Sequence, residues 1–320
     1  MNTLIFILFA TLSFQFCHSQ WPDQTNTGYI HAPGYPGSLT TCTTPIPSNS
    51  MVKYCNFPDG YYVGSGSNYP RNITFIGCRF ASNALDDANV AVFGYNITFN
   101  YCTFEPIFNI TNPSYTQGYQ YGIDQRKFAG GLFINYCNIW GFGNGLQLGF
   151  SNKTNPIIVT NSWIHNPRAD GGIDHTDGIL ENYGGVSYMT FDHNTIVGVG
   201  NTQALGLQGA DDPYDHITVT NNLFSGYGYV VSFGHKMSTN IIFTGNVWSS
   251  QFEPIHGPMY DSTLFETAGL NNLWKNNTLK VYPGTTWMNF GNNGKYWWAT
   301  DGMVSNPNQI IGHNIDYINP

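Results

Sequence analysis

The chain has 320 residues, a formal net charge of −8 and only 9% charged residues, against 41% hydrophobic and 16% aromatic. Such burial capacity excludes a disordered chain, and the shortage of Ala, Leu, Glu and Lys patterns argues against a helical bundle. The eleven Lys and Arg are scattered, so there is no basic footprint for nucleic acid.

The first element is an apolar run, Leu4-Ile5-Phe6-Ile7-Leu8-Phe9-Ala10, ending near Cys17-His18-Ser19. Its length suits a secretory signal over residues 1–19 and is too short for a membrane span. No second run of spanning length occurs, so a secreted, extracellular and monomeric protein is expected. Sequons at Asn72, Asn96, Asn109, Asn152 and Asn276 are candidate glycosylation sites for such a protein. Segment 20–50 carries five prolines and no repeat, and is expected to cap the first coil of the repeat array that begins at residue 51.

Residues 51–282 repeat. The strings Val52-Lys-Tyr-Cys55-Asn-Phe57, Ile73-Thr-Phe-Ile-Gly-Cys78-Arg-Phe80 and Ile97-Thr-Phe-Asn-Tyr-Cys102-Thr-Phe104 are followed by six more of the same form. Their Cys, Ser or Asn falls at 55, 78, 102, 137, 162, 194, 222, 246 and 277, at spacings of 23 to 35 residues. Each unit opens with an apolar–Thr–apolar strand and then a two-residue break. After the break, an apolar residue returns inside. A unit so small cannot bury its own apolar face, so the units must stack about 4.8 Å apart. The expected fold is all-β: a single-stranded, right-handed parallel β-helix of about nine coils. A propeller blade would need about forty residues. A second strand closing on a small residue recurs (Gly145–Gly149, Gly178–Asn182, Leu205–Gly209, Val230–Gly234), with no shared in–out parity. Residues 283–320, with Trp287, Trp297 and Trp298, are expected to cap the far end.

Cys55, Cys78, Cys102 and Cys137 share one column, close enough for one or two disulfides, their pairing open along with that of Cys42. A linear ladder is not a tetrahedral metal shell. The continuing Ser162, Asn194, Asn222, Asn246 and Asn277 read as turn packing.

Charge concentrates on three coils. Residues 165–236 hold eight of the nineteen acids and five of the nine His. Asp192-His193 and Asp215-His216 match turn positions elsewhere in the repeat. The string Asp174-His175-Thr176-Asp177-Gly178 matches nothing in the other coils. Alignment of the second strands on Asn182, Gly209 and Gly234 places Tyr183, Asp211-Asp212 and His235-Lys236 side by side. Candidate catalytic residues are therefore His175, Asp177, His235, Lys236 and Arg168. Candidate substrate-binding residues are Asp174, Glu181, Tyr183, Asp211 and Asp212. Calcium held by Asp177, Asp211 and Asp212 would serve a base abstracting a sugar C5 proton. Paired acids without metal would serve glycoside hydrolysis.

The Ile-Thr-Phe-x-x-Cys/Asn-x-Phe coils resemble the pectate-lyase-like superfamily of right-handed parallel β-helices. The strings His175-Thr-Asp177-Gly178-Ile179 and Trp21-Pro22-Asp23-x-x-Asn26-Thr27-Gly28 are similar to stretches in secreted microbial β-helix proteins. The resemblance implies a fold that hosts lyases, hydrolases, epimerases and binding proteins. With the charged coils, the first expectation is a protein acting on an extracellular polysaccharide, as an eliminating lyase on a uronate-containing glycan. The chain lacks the Asn-x-Asp, Asp-Asp and Gly-His-Gly set of polygalacturonases and the Arg-rich strands of classical pectate lyases. A non-catalytic structural or carbohydrate-binding β-helix of a matrix or coat is the alternative; a glycoside hydrolase is a further one.

Overall fold

A computed structural model describes residues 20–65, 67–82, 88–107, 120–125, 129–168, 175–209, 212–233, 235, 237–249, 251–252, 254–260, 269–280, 296–297, 303–304 and 317–318. Residues 1–19, expected to be a secretory signal, lie outside these residues, as do Asn109, Asp174, Asp211, Lys236 and most of the C-terminal tail.

Among the described residues the chain winds into a parallel β-helix with three long parallel sheets. The first sheet has nine strands, among them Arg71–Ile76, Tyr95–Asn100, Gly130–Asn135, Ile157–Thr160, Ser187–Asp192, Asp215–Thr220 and Thr239–Thr244. The second has eleven, the third eight. Strands pair in register with the next coil, so each repeat position becomes a column: Ile73 on Ile97, Phe75 on Phe99, Phe80 on Phe104.

Columns explain the core. Inward first-sheet residues such as Phe75, Phe99, Leu132, Phe191 and Phe243 are fully buried. Like rings meet face to face along the axis: Phe57 and Phe80 centroids are 4.7 Å apart, Phe80 and Phe104 5.0 Å, Phe75 and Phe99 5.1 Å. These spacings follow the strand repeat, so ring stacking and backbone pairing reinforce each other.

The break between the first and second sheets is a single left-handed residue in all nine coils. Tyr54, Gly77, Tyr101, Tyr136, Asn161, His193, Asn221, Gly245 and Asn276 have φ between 50° and 67°. Gly and Asn fit that conformation readily; Tyr and His do so at a cost. The Tyr101 and Tyr136 rings offset part of it by stacking at 4.6 Å.

The ladder residue follows the bend and points inward. Each Asn Nδ2 donates to the carbonyl of the residue three before the preceding coil's ladder position: Asn194 to Val159, Asn222 to Phe191, Asn246 to Val219, Asn277 to Phe243, at 2.8–3.0 Å. The thiols of Cys78, Cys102 and Cys137 reach the same carbonyl position, on Val52, Phe75 and Phe99, at 3.4–3.7 Å. These three cysteines are free and buried. The disulfide joins Cys42 to Cys55 instead, with Cα atoms 5.5 Å apart.

The N-terminal segment does more than cover the first coil. Trp21 stacks on His193 of the sixth coil at 5.5 Å. Gly28 N–H donates to the Tyr136 carbonyl of the fourth, and Tyr54 of the first donates to the Pro33 carbonyl. Residues 21–35 thus form a strap along the bend, and Thr40–Thr41 then pair with Cys55 and Asn56 as a terminal strand. Gly28 is required where it is: its φ is 86°, and a Cβ there would lie 2.6 Å from Thr103 Oγ1.

Third-sheet strands run Ala88–Val92, Tyr121–Gln125, Asn144–Leu148, Asp177–Glu181, Gln203–Leu207 and Tyr229–Phe233, most of them starting one or two residues before the small-residue motifs. Their register is now defined. Val90, Ile123, Leu146, Ile179, Leu205 and Val231 make one inward column. Every residue of Ala88–Val92, Asn144–Leu148, Asp177–Glu181 and Gln203–Leu207 is buried. Both faces are covered, which is why no alternation marks these strands.

Candidate functional site

Asp177 opens the third-sheet strand of the fifth coil. In-register pairing places it beside Asn144, itself paired to Tyr121, while Gln203 on the following coil pairs with Tyr229. The column Tyr121–Asn144–Asp177–Gln203–Tyr229 is polar throughout, two positions from the apolar inward column Ile123–Leu146–Ile179–Leu205–Val231.

Asp177 is 1% exposed. Its Oδ1 accepts the Gln203 N–H at 2.8 Å. The Asn144 amide lies 3.3 Å from Asp177 Oδ2 and 2.9 Å from the His175 carbonyl, which directs its Nδ2 toward both. Burial raises the Asp177 pKa to about 6, against the opposing pull of Thr202, the Gln203 N–H and the His175 charge. Beneath it, burial and the Asp177 charge push Tyr227 far above its usual range, so that phenol stays neutral. Between Asp177 and the exposed His175, Thr176 is pinned: its Oγ1 and N–H both reach Asn201 Oδ1, at 2.7 and 2.9 Å. His175 is exposed two residues before Asp177, near enough for its charge to act on that carboxyl.

The other expected residues separate from this pair. Glu181 sits at the opposite end of the same strand, about 13 Å away at four residues of strand rise. It occupies an inward column between Leu148 and Leu207 and is 0% exposed. Its carboxylate accepts from the Tyr183 N–H at 2.8 Å, the Gly184 N–H at 3.3 Å and Tyr214 OH at 2.5 Å. The same phenol oxygen accepts the Gly209 N–H. These bonds make Glu181 a bracket between two turns, closed off from solvent. Burial raises its pKa despite these bonds.

Tyr183 is 43% exposed, and Asp212 is exposed on the turn that meets Gly184 and Gly185. A Cβ on Gly209 would lie 2.1 Å from Gly184 Cα, so the turns interlock through glycine. His235 closes a turn, its Nδ1 accepting the Met237 N–H and its carbonyl the Ser238 N–H and hydroxyl. Arg168 is half-buried, its N–H on the Phe142 carbonyl. The single grouping expected from sequence therefore divides: His175 and Asp177 stand at one end of the third-sheet strands, and Glu181, Tyr183 and Asp212 at the other. His235 follows the Tyr229–Phe233 strand at that second end. Calcium shared by Asp177 and Asp212 is incompatible with that separation, since its ligands lie about 2.3–2.6 Å from the ion. No group of three or more His, Cys, Asp or Glu fit to hold a metal occurs among the described residues.

Asp192 and Asp215 serve turns. Asp192 Oδ1 accepts from Thr220 Oγ1 and Asn221 Nδ2, and Asp215 Oδ1 from Thr239 Oγ1 and Asn240 Nδ2. Two sequon asparagines bond along a separate column at the start of the first-sheet strands: Asn72 Nδ2 donates to Asn49 Oδ1 and Asn96 Nδ2 to Asn72 Oδ1. Asn276 is exposed at a bend, and Asn152 Oδ1 caps the turn at Thr154 and Asn155.

Sequence reasoning missed Asn144, Gln203 and Tyr214. Alignment of the third strands on their first residue, instead of their closing glycine, would have found the first two. Nothing in the sequence marked Tyr214. The chain gives no significant match to any protein-family model, any curated protein or any solved structure.

Proposed function

We propose that the protein is secreted and cleaves a uronate-containing polysaccharide by β-elimination at the His175–Asp177 end of the third sheet. The observation that carries the proposal is a buried Asp177 carboxyl, bonded to the Gln203 N–H, two residues from an exposed His175; burial raises its pKa. His175 takes the C5 proton, the electron pair forms the C4–C5 double bond, and the C4–O4 bond breaks with the proton delivered to O4. Protonated Asp177, held by the Asn144 amide and the Gln203 N–H, donates a hydrogen bond that partly neutralises the sugar carboxylate and stabilises the enolate formed from it, and so acidifies C5. The Cys42–Cys55 disulfide supports an oxidising, extracellular setting, and among the described residues no helix is long and apolar enough to cross a membrane.

Paired-carboxylate hydrolysis has less support. Asp124 and Asp177 are two coils and three strand positions apart, about 14 Å, beyond the roughly 5–9.5 Å that either glycosidase geometry uses. The second reading is a non-catalytic glycan-binding β-helix, favoured by the 1% exposure of Asp177. Incubation with polyuronates separates the two. Unsaturated uronate ends should absorb in the ultraviolet with the wild type and vanish with His175→Ala and Asp177→Asn. Wild-type inertness on every polyuronate, by absorbance and by reducing ends, would sink the lyase and leave the binding protein.

A further inference from the structure

The outer face of the first sheet has a property that the third sheet does not share. Its second strand position is left-handed on coil after coil: Asn72, Asn96, Gly131, Tyr188, His216, Asn240 and Asn271 have φ of 54–72°. On the fifth coil the position is Pro156; outside the fifth to seventh coils the residue is Asn or Gly, the types that accept this backbone. Asn side chains there bond along the axis, as Asn271 Nδ2 does to Asn240 Oδ1 at 2.7 Å.

On the sixth and seventh coils the ladder is replaced by rings. Tyr188 and His216 occupy a backbone that disfavours them and stack face to face, centroids 4.5 Å apart and planes 15° from parallel. The interruption is bridged from one side by Asp215, whose Oδ1 takes over as acceptor for Asn240 Nδ2 and whose Oδ2 meets His216 Nδ1. The paired rings floor one end of an open groove of about 580 Å³. Beside them runs the column Thr190–Thr218–Ile242–Leu273, with Lys153 as a wall from the fifth coil. Among the described residues lining this groove, Lys153 is the one formally charged side chain, on a chain of net charge −8.

We infer that this groove is a glycan-binding subsite, separate from the His175–Asp177 end, that takes an acidic polysaccharide. A sugar ring presents an apolar C–H face and a rim of hydroxyls. The stacked rings fit the first, the Thr190 and Thr218 hydroxyls and the Asn240 and Asn271 amides fit the second, and Lys153 selects a carboxylate-bearing chain. The choice of an acidic glycan rests on the proposed function, whereas the groove itself does not need catalysis.

The test uses the full secreted chain with polygalacturonate and alginate as probes, and an uncharged glucan for comparison, in affinity electrophoresis. Tyr188→Asn and His216→Asn restore the residue type found elsewhere in this column, so they keep the fold while removing the rings; an unchanged melting temperature checks this. The expected result is at least tenfold weaker retention by a polyuronate for Tyr188→Asn, and weaker retention that also loses salt dependence for Lys153→Ala. Asp177→Asn should bind as the wild type does, even where it abolishes cleavage. Wild-type retention by the polyuronates that survives both groove substitutions overturns the subsite, as does retention by no polyuronate. Stronger retention by the uncharged glucan overturns its acidic specificity. Binding without cleavage removes the lyase and leaves the subsite standing.

Discussion

The backbone N–H and the side-chain Nδ2 of Asn194 both donate to Oδ1 of Asn222, each at 2.9 Å. Asn222 repeats the arrangement onto Asn246, and Asn246 onto Asn277, so buried amides and buried backbone are satisfied in one line down the solenoid. Removal of one member strands its neighbour.

Asn222→Ala should therefore destabilise by about 2–4 kcal/mol, because the Asn194 donors and the Phe191 carbonyl lose buried partners. Asn222→Ser should cost less. Ser162 already holds a place in this column, its Oγ accepting the Cys137 N–H and donating to the Thr160 carbonyl. Denaturant midpoints of the two variants check the order, and an Ala variant at least as stable as the Ser variant would refute it.

The three ladder thiols should be inert in the folded state. All three are fully buried, so a reagent cannot reach them. Burial also pushes the Cys102 thiol well above its ordinary value, whereas a hydrogen bond with Cys102 lowers Cys78, whose protection therefore rests on access alone. In the chain lacking residues 1–19, an alkylating reagent should label none of Cys78, Cys102 and Cys137 natively and all three after unfolding. Native labelling at the unfolded rate would show that the bend opens to solvent.

Asp177 gives a pH dependence whose sign is set by its raised pKa. The folded state binds its proton up to about pH 6, the unfolded state only to the ordinary carboxylate value of 3.8. Its contribution therefore favours folding in acid and is lost as pH rises from about 4 through about 6, on the order of 2–3 kcal/mol. Asp177→Asn should gain in melting temperature relative to wild type at pH 7.5, and gain little at pH 4. Equal differences at both pH values would mean that the carboxyl is not held in its protonated form.

The first sheet was readable from sequence because its outer face is wet: Ile73-Thr74-Phe75 alternates since only one side is buried, whereas second-sheet strands such as Thr195–Gly198 and Leu223–Gly226 are buried throughout. The third sheet was not, because Asp177–Glu181 and its neighbours are buried on both sides and periodicity carries no signal there. The candidate site suffered from the same ambiguity. His175 and Asp177 stood out as a local string, but the register that separates them from Glu181 by a strand length is a property of the stacked coils. The strap was equally hidden, since Trp21 finds His193 across 172 residues of chain.

Two glycines isolate what the strap contributes. Gly28 and Gly37 have nearly the same φ, 86° and 85°, so replacement by Ala strains both backbones alike. A Cβ at Gly37 meets nothing within 4 Å, whereas one at Gly28 meets Thr103 Oγ1 at 2.6 Å and Asn138 Cβ at 3.2 Å. Gly28→Ala should cost about 1–3 kcal/mol more than Gly37→Ala, read as the difference in melting temperature. Equal costs would mean that the strap lifts from the bend without loss.

The Glu181–Tyr214 pair decides whether the far end of the third sheet is a site or a brace. Tyr214→Phe removes the donor to Glu181 and the acceptor for the Gly209 N–H, and should cost about 2–4 kcal/mol. A carboxylate left in a column between Leu148 and Leu207 is then poorly placed, so a further Glu181→Leu change should recover part of the loss in that background. The Tyr183 and Gly184 N–H groups freed by it belong to a half-exposed turn that water can reach. If Glu181 instead binds substrate, the double variant will show a raised KM on a polyuronate even where its stability returns. A brace predicts unchanged KM with stability partly restored, and kinetics on the folded double variant distinguish the two.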